Sequence, residues 1–216
     1  MTPLPRESIP SLLIRDLPRD LVMAMEDALS SGAARAFGAA HGTEDGHLPN
    51  VVGQLRHFKM NEAFHRALAA NHATPTPIRG NSLITGRVGM FTLGRFNIPA
   101  GSWINGRRSH TRQQMALANE ALEPLVQGGL FDPYRPPSEA VAFFVACFSG
   151  SLQVSPDAPL SIHIAVPNRD MRGWLFREPL SAFLQRYEPA SGEVQPDLVK
   201  PKLKKRTGVA SEGSSA

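Results

Sequence analysis

The chain has 216 residues, of which 42% are hydrophobic and 19% are charged, so it is long enough to form one domain with a sizeable core. Its net charge of +4 arises partly from the segment 191–216, so we expect no direct nucleic acid binding by the body. The single cysteine, Cys147, excludes an intramolecular disulfide and is typical of a reducing compartment. We expect a cytoplasmic protein with no signal peptide, no membrane attachment and a buried structural thiol.

Composition divides the chain into three segments. Residues 1–11 are punctuated by proline and are predicted to be flexible. Residues 12–188 have an ordinary apolar content and are predicted to form a single globular domain. Residues 189–216 are rich in Ser, Gly, Pro and Lys and are predicted to form a disordered basic tail.

Helical periodicity predicts several helices along the domain. The first has Asp16 as its N-cap and Pro18 in its first turn. Its apolar residues recur at every fourth position, at Leu21, Met25 and Leu29. Asn61 is predicted to cap the next helix, so the residues just before it are expected to form an extended or loosely helical connector. Two later helices are predicted, one through Met115, Ala118 and Leu122 and one that begins near Pro179.

Three apolar segments predict strands. The segment 87–98 is predicted to be one strand, weakened by its glycines. The run Ala140–Phe148 is continuously apolar, which is typical of a central strand buried on both faces. The segment 160–166 alternates strictly and is predicted to pair antiparallel with that run. The pattern as a whole predicts an α+β fold, in which a small, mainly antiparallel sheet is packed by three to five helices.

One short motif, Gln-Leu-Arg-His-Phe, has residue types and spacing that favour a particular partner; we call it the QLRHF motif. Gln54, Leu55 and Phe58 match the motif Gln-Leu-Ser/Asp-Leu-Phe, by which bacterial proteins bind the β sliding clamp of the replicase. In this mode of recognition the amide engages a polar subsite, while the leucine and the phenylalanine enter an apolar groove. Arg56 and His57 depart from the pattern, and His57 replaces one apolar anchor.

The same stretch has an alternative, structural interpretation. Val51, Leu55 and Phe58 have helical spacing and, with Val52, would form the inner face of a helix. The pattern Gln-Leu-x-x-Phe is also expected by chance in about four of a hundred chains of this size. Exposure of the motif distinguishes recognition from packing.

The motif, a body without a catalytic motif and a basic tail together resemble the SocB-like toxins, a family that inhibits DNA replication by binding the clamp. Gln54, Leu55 and Phe58 carry this resemblance. It implies the toxin of a toxin–antitoxin system, which is not an enzyme, has no cofactor and stops elongation by occupying the peptide-binding groove of the β sliding clamp. It also implies an antitoxin that acts as a proteolytic adaptor and delivers the toxin to the ClpXP protease.

A second candidate site is the densest basic patch of the body, which comprises Arg107, Arg108, His110 and Arg112. These residues precede a predicted helix, and helix N-termini and guanidinium groups both attract phosphate. The alternative function is therefore a small RNase-like enzyme that acts on nucleic acid, with His57 or His163 as its acid or base. A solvated loop is the competing interpretation, because no acid–base pair lies nearby in the sequence.

No catalytic residue and no metal site is predicted. The chain lacks a P-loop, an HExxH motif, a Gly-x-Ser-x-Gly motif and a dinucleotide fingerprint. His57 and His65 are eight positions apart, which is the wrong spacing for one helical metal-binding face. His163 lies on the strand face opposite Ile162 and Ile164, and we expect it to be partly buried and hydrogen-bonded.

Overall fold

The computed structural model describes residues 8–126 and 137–188. Within these ranges the α-helices are α1 (Ile9–Asp16), α2 (Arg19–Ala39), α3 (Leu48–Ala70), α4 (His110–Ala116), α5 (Glu123–Val126) and α6 (Leu180–Gln185). Two 3-10 helices, Trp103–Arg108 and Leu117–Leu122, lie on either side of α4. The strands are β1 (Thr74–Pro75), β2 (Thr85–Val88), β3 (Phe91–Pro99), β4 (Ala140–Phe148), β5 (Ser161–Pro167) and β6 (Trp174–Pro179).

A single sheet contains these six strands in the order in which they follow along the chain. Neighbouring strands are antiparallel except β3 and β4, which run parallel and are joined by a crossover that carries α4 and the 3-10 helices. The predicted α+β class with a mainly antiparallel sheet is confirmed. The described ranges contain six helices rather than three to five, because the short helices α1 and α5 have no long periodic pattern in the sequence.

Each face of the sheet carries its own hydrophobic cluster. On the larger side α2 and α3 cover the sheet, and the rings of Phe64 and Phe144 lie 6.1 Å apart between their centroids. On the smaller side Phe96 and Phe143 pack at 5.4 Å, beneath the 3-10 helix Trp103–Arg108. Every residue of β4 is buried, as predicted for a central strand covered on both faces.

The N-terminal part of the domain differs from the prediction. α1 begins at Ile9, which is only 3% exposed, and Ser8 accepts a hydrogen bond from a backbone N–H of its first turn. Asp16, predicted to cap the following helix, instead ends α1 and accepts a hydrogen bond of 2.8 Å from the backbone N–H of Met90. The helix that follows begins at Arg19, directly after proline. The flexible segment predicted for residues 1–11 therefore overlaps α1 at its last three positions.

The predicted strand 87–98 is two strands. β2 and β3 form an antiparallel hairpin that turns at Gly89, whose φ is +55°. A β-carbon at this glycine would lie 2.5 Å from the carboxylate of Asp16, so the turn requires glycine for its backbone conformation and for the space. The antiparallel pair of β4 and β5 is confirmed.

Two further predictions concern the C-terminal tail and attachment to a membrane. The basic tail predicted over 189–216 lies outside the described residues. Along the described part of the chain, no helix has the length and the apolar content that are needed to cross a bilayer.

Candidate protein-binding site on α3

The QLRHF motif lies inside α3. The prediction that it forms a connector before a helix is therefore wrong. Pro49 occupies the first turn of α3, where its missing N–H leaves no hydrogen bond unmade. Gly53 also has low helix propensity, but one glycine costs only about 1 kcal/mol in a long helix. Asn61, which was predicted to be a cap, is buried within the helix and bonded to Arg95.

The exposed side of α3 carries the motif residues that match the clamp-binding pattern. Because a helix turns by about 100° per residue, Gln54 and Phe58 lie on one side, with Leu55 on the flank. Gln54 is exposed, Phe58 is 41% exposed and Leu55 is half-buried. Near the motif the inner face of the helix consists of Val52, Arg56 and Met60. The alternative interpretation is therefore right that this stretch is helical and that Val52 is buried, but it is wrong in placing Phe58 on the inner face.

A surface groove of about 750 Å³ lies beside the motif, and we call it the α3 groove. Its lining residues are Pro49, Asn50, Gly53, Gln54, His57, Phe58 and Asn81. None of these residues is an acid, a lysine or an arginine, and three of them are carboxamides. Gly53 leaves the helix backbone open to solvent, since a β-carbon there would meet nothing within 4 Å. An uncharged lining of three carboxamides with the rings of His57 and Phe58 suits contact with a protein chain.

Arg56 faces inward because it joins α3 to the segment after β4. Its guanidinium lies 4.0 Å above the ring centroid of Phe148 and donates a hydrogen bond of 2.6 Å to the carbonyl oxygen of Pro156. Burial lowers the pKa of Arg56, and the nearby carboxylate of Asp157 acts in the opposite direction. With 8% of its surface exposed, Arg56 has a structural role and is not presented to a partner.

A buried arginine lies beneath the motif. Arg95 of β3 is 3% exposed and donates to three neutral acceptors: the carbonyl oxygen of His57 at 3.0 Å, Asn61 Oδ1 at 2.8 Å and Asn97 Oδ1 at 3.0 Å. In residues 8–126 and 137–188 no carboxylate pairs with it, and burial lowers its pKa to about 9. Because one of its bonds reaches the main chain of the motif, Arg95 links the conformation of α3 to the sheet.

His57 is half-buried between this arginine and the α3 groove. Its Nε2 lies 3.2 Å from Nδ2 of Asn61, and its ring meets that of Phe58 edge-on, with 5.4 Å between the centroids. Burial, and then the charge of Arg95, lower the pKa of His57 below its usual value of 6.5. The imidazole is therefore neutral at pH 7.

The predicted basic patch does not form one exposed surface. Arg112 folds back, so that its Nε donates to the carbonyl oxygen of Gly106 at 2.8 Å and its guanidinium lies over an aromatic ring of β3. Arg108 and His110 are exposed, whereas Arg107 is half-buried at a separate pocket of about 320 Å³. Arg112 is half-buried like Arg107, and its guanidinium is engaged within the fold.

A polar cluster on the smaller side of the sheet contains His163, which the sequence offers as an acid or base of the alternative enzyme. Ser161 Oγ lies 3.1 Å from His163 Nε2, and His163 Nδ1 is buried without a hydrogen-bond partner in the described residues. The same imidazole meets the ring of Trp103 edge-on at 5.1 Å, and Arg177 lies 4.5 Å above that ring. Burial, followed by the charge of Arg177, lowers the pKa of His163, and burial raises the pKa of the Cys147 thiol. The thiol is un-ionised and its side-chain hydrogen bond is with Ser161, so these groups do not form an activated nucleophilic site.

Neither the search for metal-binding groups nor the comparison with known proteins adds a further candidate site. In the ranges that the structure describes, no three His, Cys, Asp or Glu residues are grouped so that they could hold a metal ion. Comparison of the chain with protein-family models, with curated proteins and with solved structures finds no match. The exposed face of α3, with its groove, is therefore the site from which function is inferred.

Proposed function

We propose that this chain is a toxin of a toxin–antitoxin system that inhibits the elongation of DNA replication. In this proposal the exposed face of α3 occupies the peptide-binding groove of the β sliding clamp. The observation that carries the proposal is that Gln54 and Phe58 are both exposed one helical turn apart, with Leu55 beside them. The mechanism is competition for a groove, so it requires no acid, base, nucleophile or cofactor in this chain.

Each of the three residues has a distinct part in the proposed contact. Phe58 is an aromatic anchor, and aromatic side chains carry a large share of the binding energy at protein interfaces. The carboxamide of Gln54 both donates and accepts, so it fixes the register of the helix on a polar subsite. Leu55 is half-buried and adds apolar area at the flank.

We propose that the motif binds as a helix and does not unwind. An extended motif would break the hydrogen bond from Arg95 to the carbonyl oxygen of His57, and it would also break the bond from Arg56 to Pro156. It would further expose Val52, which is completely buried. Each lost hydrogen bond from a charged donor costs roughly 1.5–3 kcal/mol, whereas an amphipathic helix in an apolar groove is an established mode of recognition.

The proposal includes the cellular partners that the resemblance implies. The toxin would act in the cytoplasm, and an antitoxin serving as a proteolytic adaptor would deliver it to the ClpXP protease. If so, the full chain should persist longer in cells that lack this protease. An equal lifetime with and without the protease would remove this part of the proposal and leave clamp binding to be judged separately.

The experiment that tests clamp binding is a titration of the purified full chain with the purified β sliding clamp. A synthetic peptide that contains the usual Gln-Leu-Ser-Leu-Phe motif is then added as a competitor. We expect saturable binding of the chain and its displacement by the peptide. Absence of binding, or binding that a large excess of the peptide does not reduce, would contradict the proposed function.

A further inference from the structure

The hydrogen bonds beneath the motif fix the tautomer of His57. Arg95 has only donors, so the Asn61 atom that lies 2.8 Å from its Nε must be the carboxamide oxygen. The amide nitrogen of Asn61 then faces His57 Nε2 at 3.2 Å. Because this nitrogen only donates, His57 Nε2 must be an unprotonated acceptor. The ring proton of a neutral His57 therefore lies on Nδ1.

This tautomer provides a hydrogen-bond donor at the α3 groove. His57 lines the groove together with Gln54 and Phe58. In the described residues no acceptor is bonded to its Nδ1. We propose that His57 is a specificity-determining residue, whose Nδ1–H donates to a backbone carbonyl oxygen of the partner that α3 contacts. The proposal rests on the proposed function, in which that partner is the sliding clamp.

A backbone carbonyl is the acceptor that best fits the surroundings. The groove is lined by the carboxamides of Asn50, Gln54 and Asn81, which pair with uncharged peptide groups, and none of its lining residues is charged. The donor also accounts for the departure of His57 from the usual leucine of the motif. At this position a hydrogen bond replaces an apolar anchor. Binding therefore depends more strongly on where the carbonyl oxygen of the partner lies than it would with leucine.

Burial, and then the charge of Arg95, keep His57 neutral near pH 7. Arg95 approaches it from β3, and Arg56 precedes it on α3 with Asp157 close to its guanidinium. Protonation of His57 would direct an Nε2–H at the amide nitrogen of Asn61 and would add a second positive charge beside Arg95. Partner binding should therefore weaken in mildly acidic buffer, because the protonated ring disturbs the network that orients it.

Two substitutions separate the donor from the structural role of the ring. In His57→Gln the carboxamide reaches the position of Nε2, so the oxygen still accepts from Asn61 while the Nδ1 donor is lost. In His57→Asn the carboxamide lies at the position of Nδ1, so a donor remains while the bond to Asn61 is lost. We expect His57→Gln to unfold at nearly the wild-type temperature and to bind the clamp about three- to tenfold more weakly. We expect His57→Asn to be less stable than His57→Gln and to bind the clamp more tightly than it.

The same clamp titration includes Phe58→Ala, so the two proposals fail in different ways. If Phe58→Ala weakens binding while His57→Gln binds as tightly as wild type, the donor assignment is overturned and the proposed function stands. If wild type does not bind the clamp, both are overturned. The tautomer has a readout of its own: the ¹⁵N chemical shifts of His57 in the full chain at pH 7. Shifts of the Nδ1–H form support the inference, and shifts of the Nε2–H form overturn it.

Discussion

Replacing Phe58 with alanine is the most informative perturbation of the exposed face of α3. The side chain is 41% exposed, so more than half of its surface is already covered by its own protein. A partner can bury only the exposed part. The ring of Phe58 contacts the ring of His57, which belongs to the same helix. Removing the Phe58 ring should therefore have a limited effect on the core.

The expected loss of affinity follows from this exposed fraction. Complete burial of a phenylalanine side chain is worth about 1.5–3 kcal/mol. For a side chain that is 41% exposed, burial of the remainder is worth roughly 0.6–1.2 kcal/mol. An unfilled pocket on the partner adds to this loss, as it does when an interface anchor is truncated. We therefore expect Phe58→Ala to weaken clamp binding by about tenfold, which is about 1.4 kcal/mol.

The assay is a binding titration with the purified clamp, together with thermal unfolding of each variant. Leu117→Ala is the matched control, because Leu117 is 53% exposed and lies on the 3-10 helix after α4. The control should bind as wild type does, whereas Gln54→Ala and Phe58→Ala should each weaken binding. If both motif variants remain folded and bind with unchanged affinity, the assignment of the exposed face of α3 is refuted. An unfolded Phe58→Ala would instead show that the side chain is needed for packing.

Three further predictions concern stability and turnover. The pKa values of His57 and His163 are lowered in the folded state, so below the ordinary value of 6.5 the unfolded chain binds protons that the folded chain does not. Urea denaturation should therefore show a stability that is retained above pH 6.5 and falls as the pH decreases below it. Gly89→Ala should destabilise the protein by about 1–3 kcal/mol in the same assay, because its β-carbon would meet the carboxylate of Asp16 at a positive φ. A chain that ends at Glu188 should bind the clamp with unchanged affinity at physiological salt and, in a pulse-chase experiment, should persist longer in cells.

Each of these predictions has a result that would contradict it. A stability that does not change between pH 7 and pH 5.5, in wild type and in His57→Gln alike, would remove the inferred proton linkage. Gly80→Ala is the control for Gly89→Ala, because Gly80 also has a positive φ but open space around its β-carbon position. Equal losses in the two variants would mean that only the backbone conformation matters. Rapid degradation of the truncated chain would show that residues after Glu188 are not the degradation signal.

The buried strands could be predicted because their patterns depend on burial alone. β4 is apolar at every position, and in the structure every one of its residues is buried. β5 alternates, and His163 is half-buried and bonded to Ser161, as its position on the second face predicts. The sequence does not predict the hairpin of β2 and β3, because a glycine within an apolar segment fits a weak point in one strand as well as it fits a turn.

The choice between the two interpretations of the motif could not be made from the sequence, because it depends on contacts with Arg95, which is distant in the sequence. Asparagine favours N-cap positions when its side chain must satisfy nearby backbone groups. Asn61 instead bonds with Arg95, a β3 residue, and with His57 one turn earlier in the same helix. Arg95, a charged residue in a mostly apolar strand, is the sequence feature that indicates such a network. Asn81, which completes the groove from the segment before β2, has no comparable feature.

The helix also changes how the mismatches of the motif should be weighed. Compared with an extended peptide, Arg56 and His57 are two defects in a five-residue pattern. On α3 both have contacts within the fold: Arg56 with Phe148 and Pro156, and His57 with Asn61. The positions that match the pattern are the ones that the helix leaves exposed or on its flank. The pattern is therefore expected to be lost where a side chain has a contact within the fold: Arg56 serves the fold alone, whereas His57 serves the fold through Asn61 and the partner through its Nδ1 donor. For this reason, restoring the usual leucine by His57→Leu should weaken clamp binding, because it removes the donor and leaves the Asn61 amide without an acceptor. Tighter binding by that variant would mean that the motif docks in the extended register.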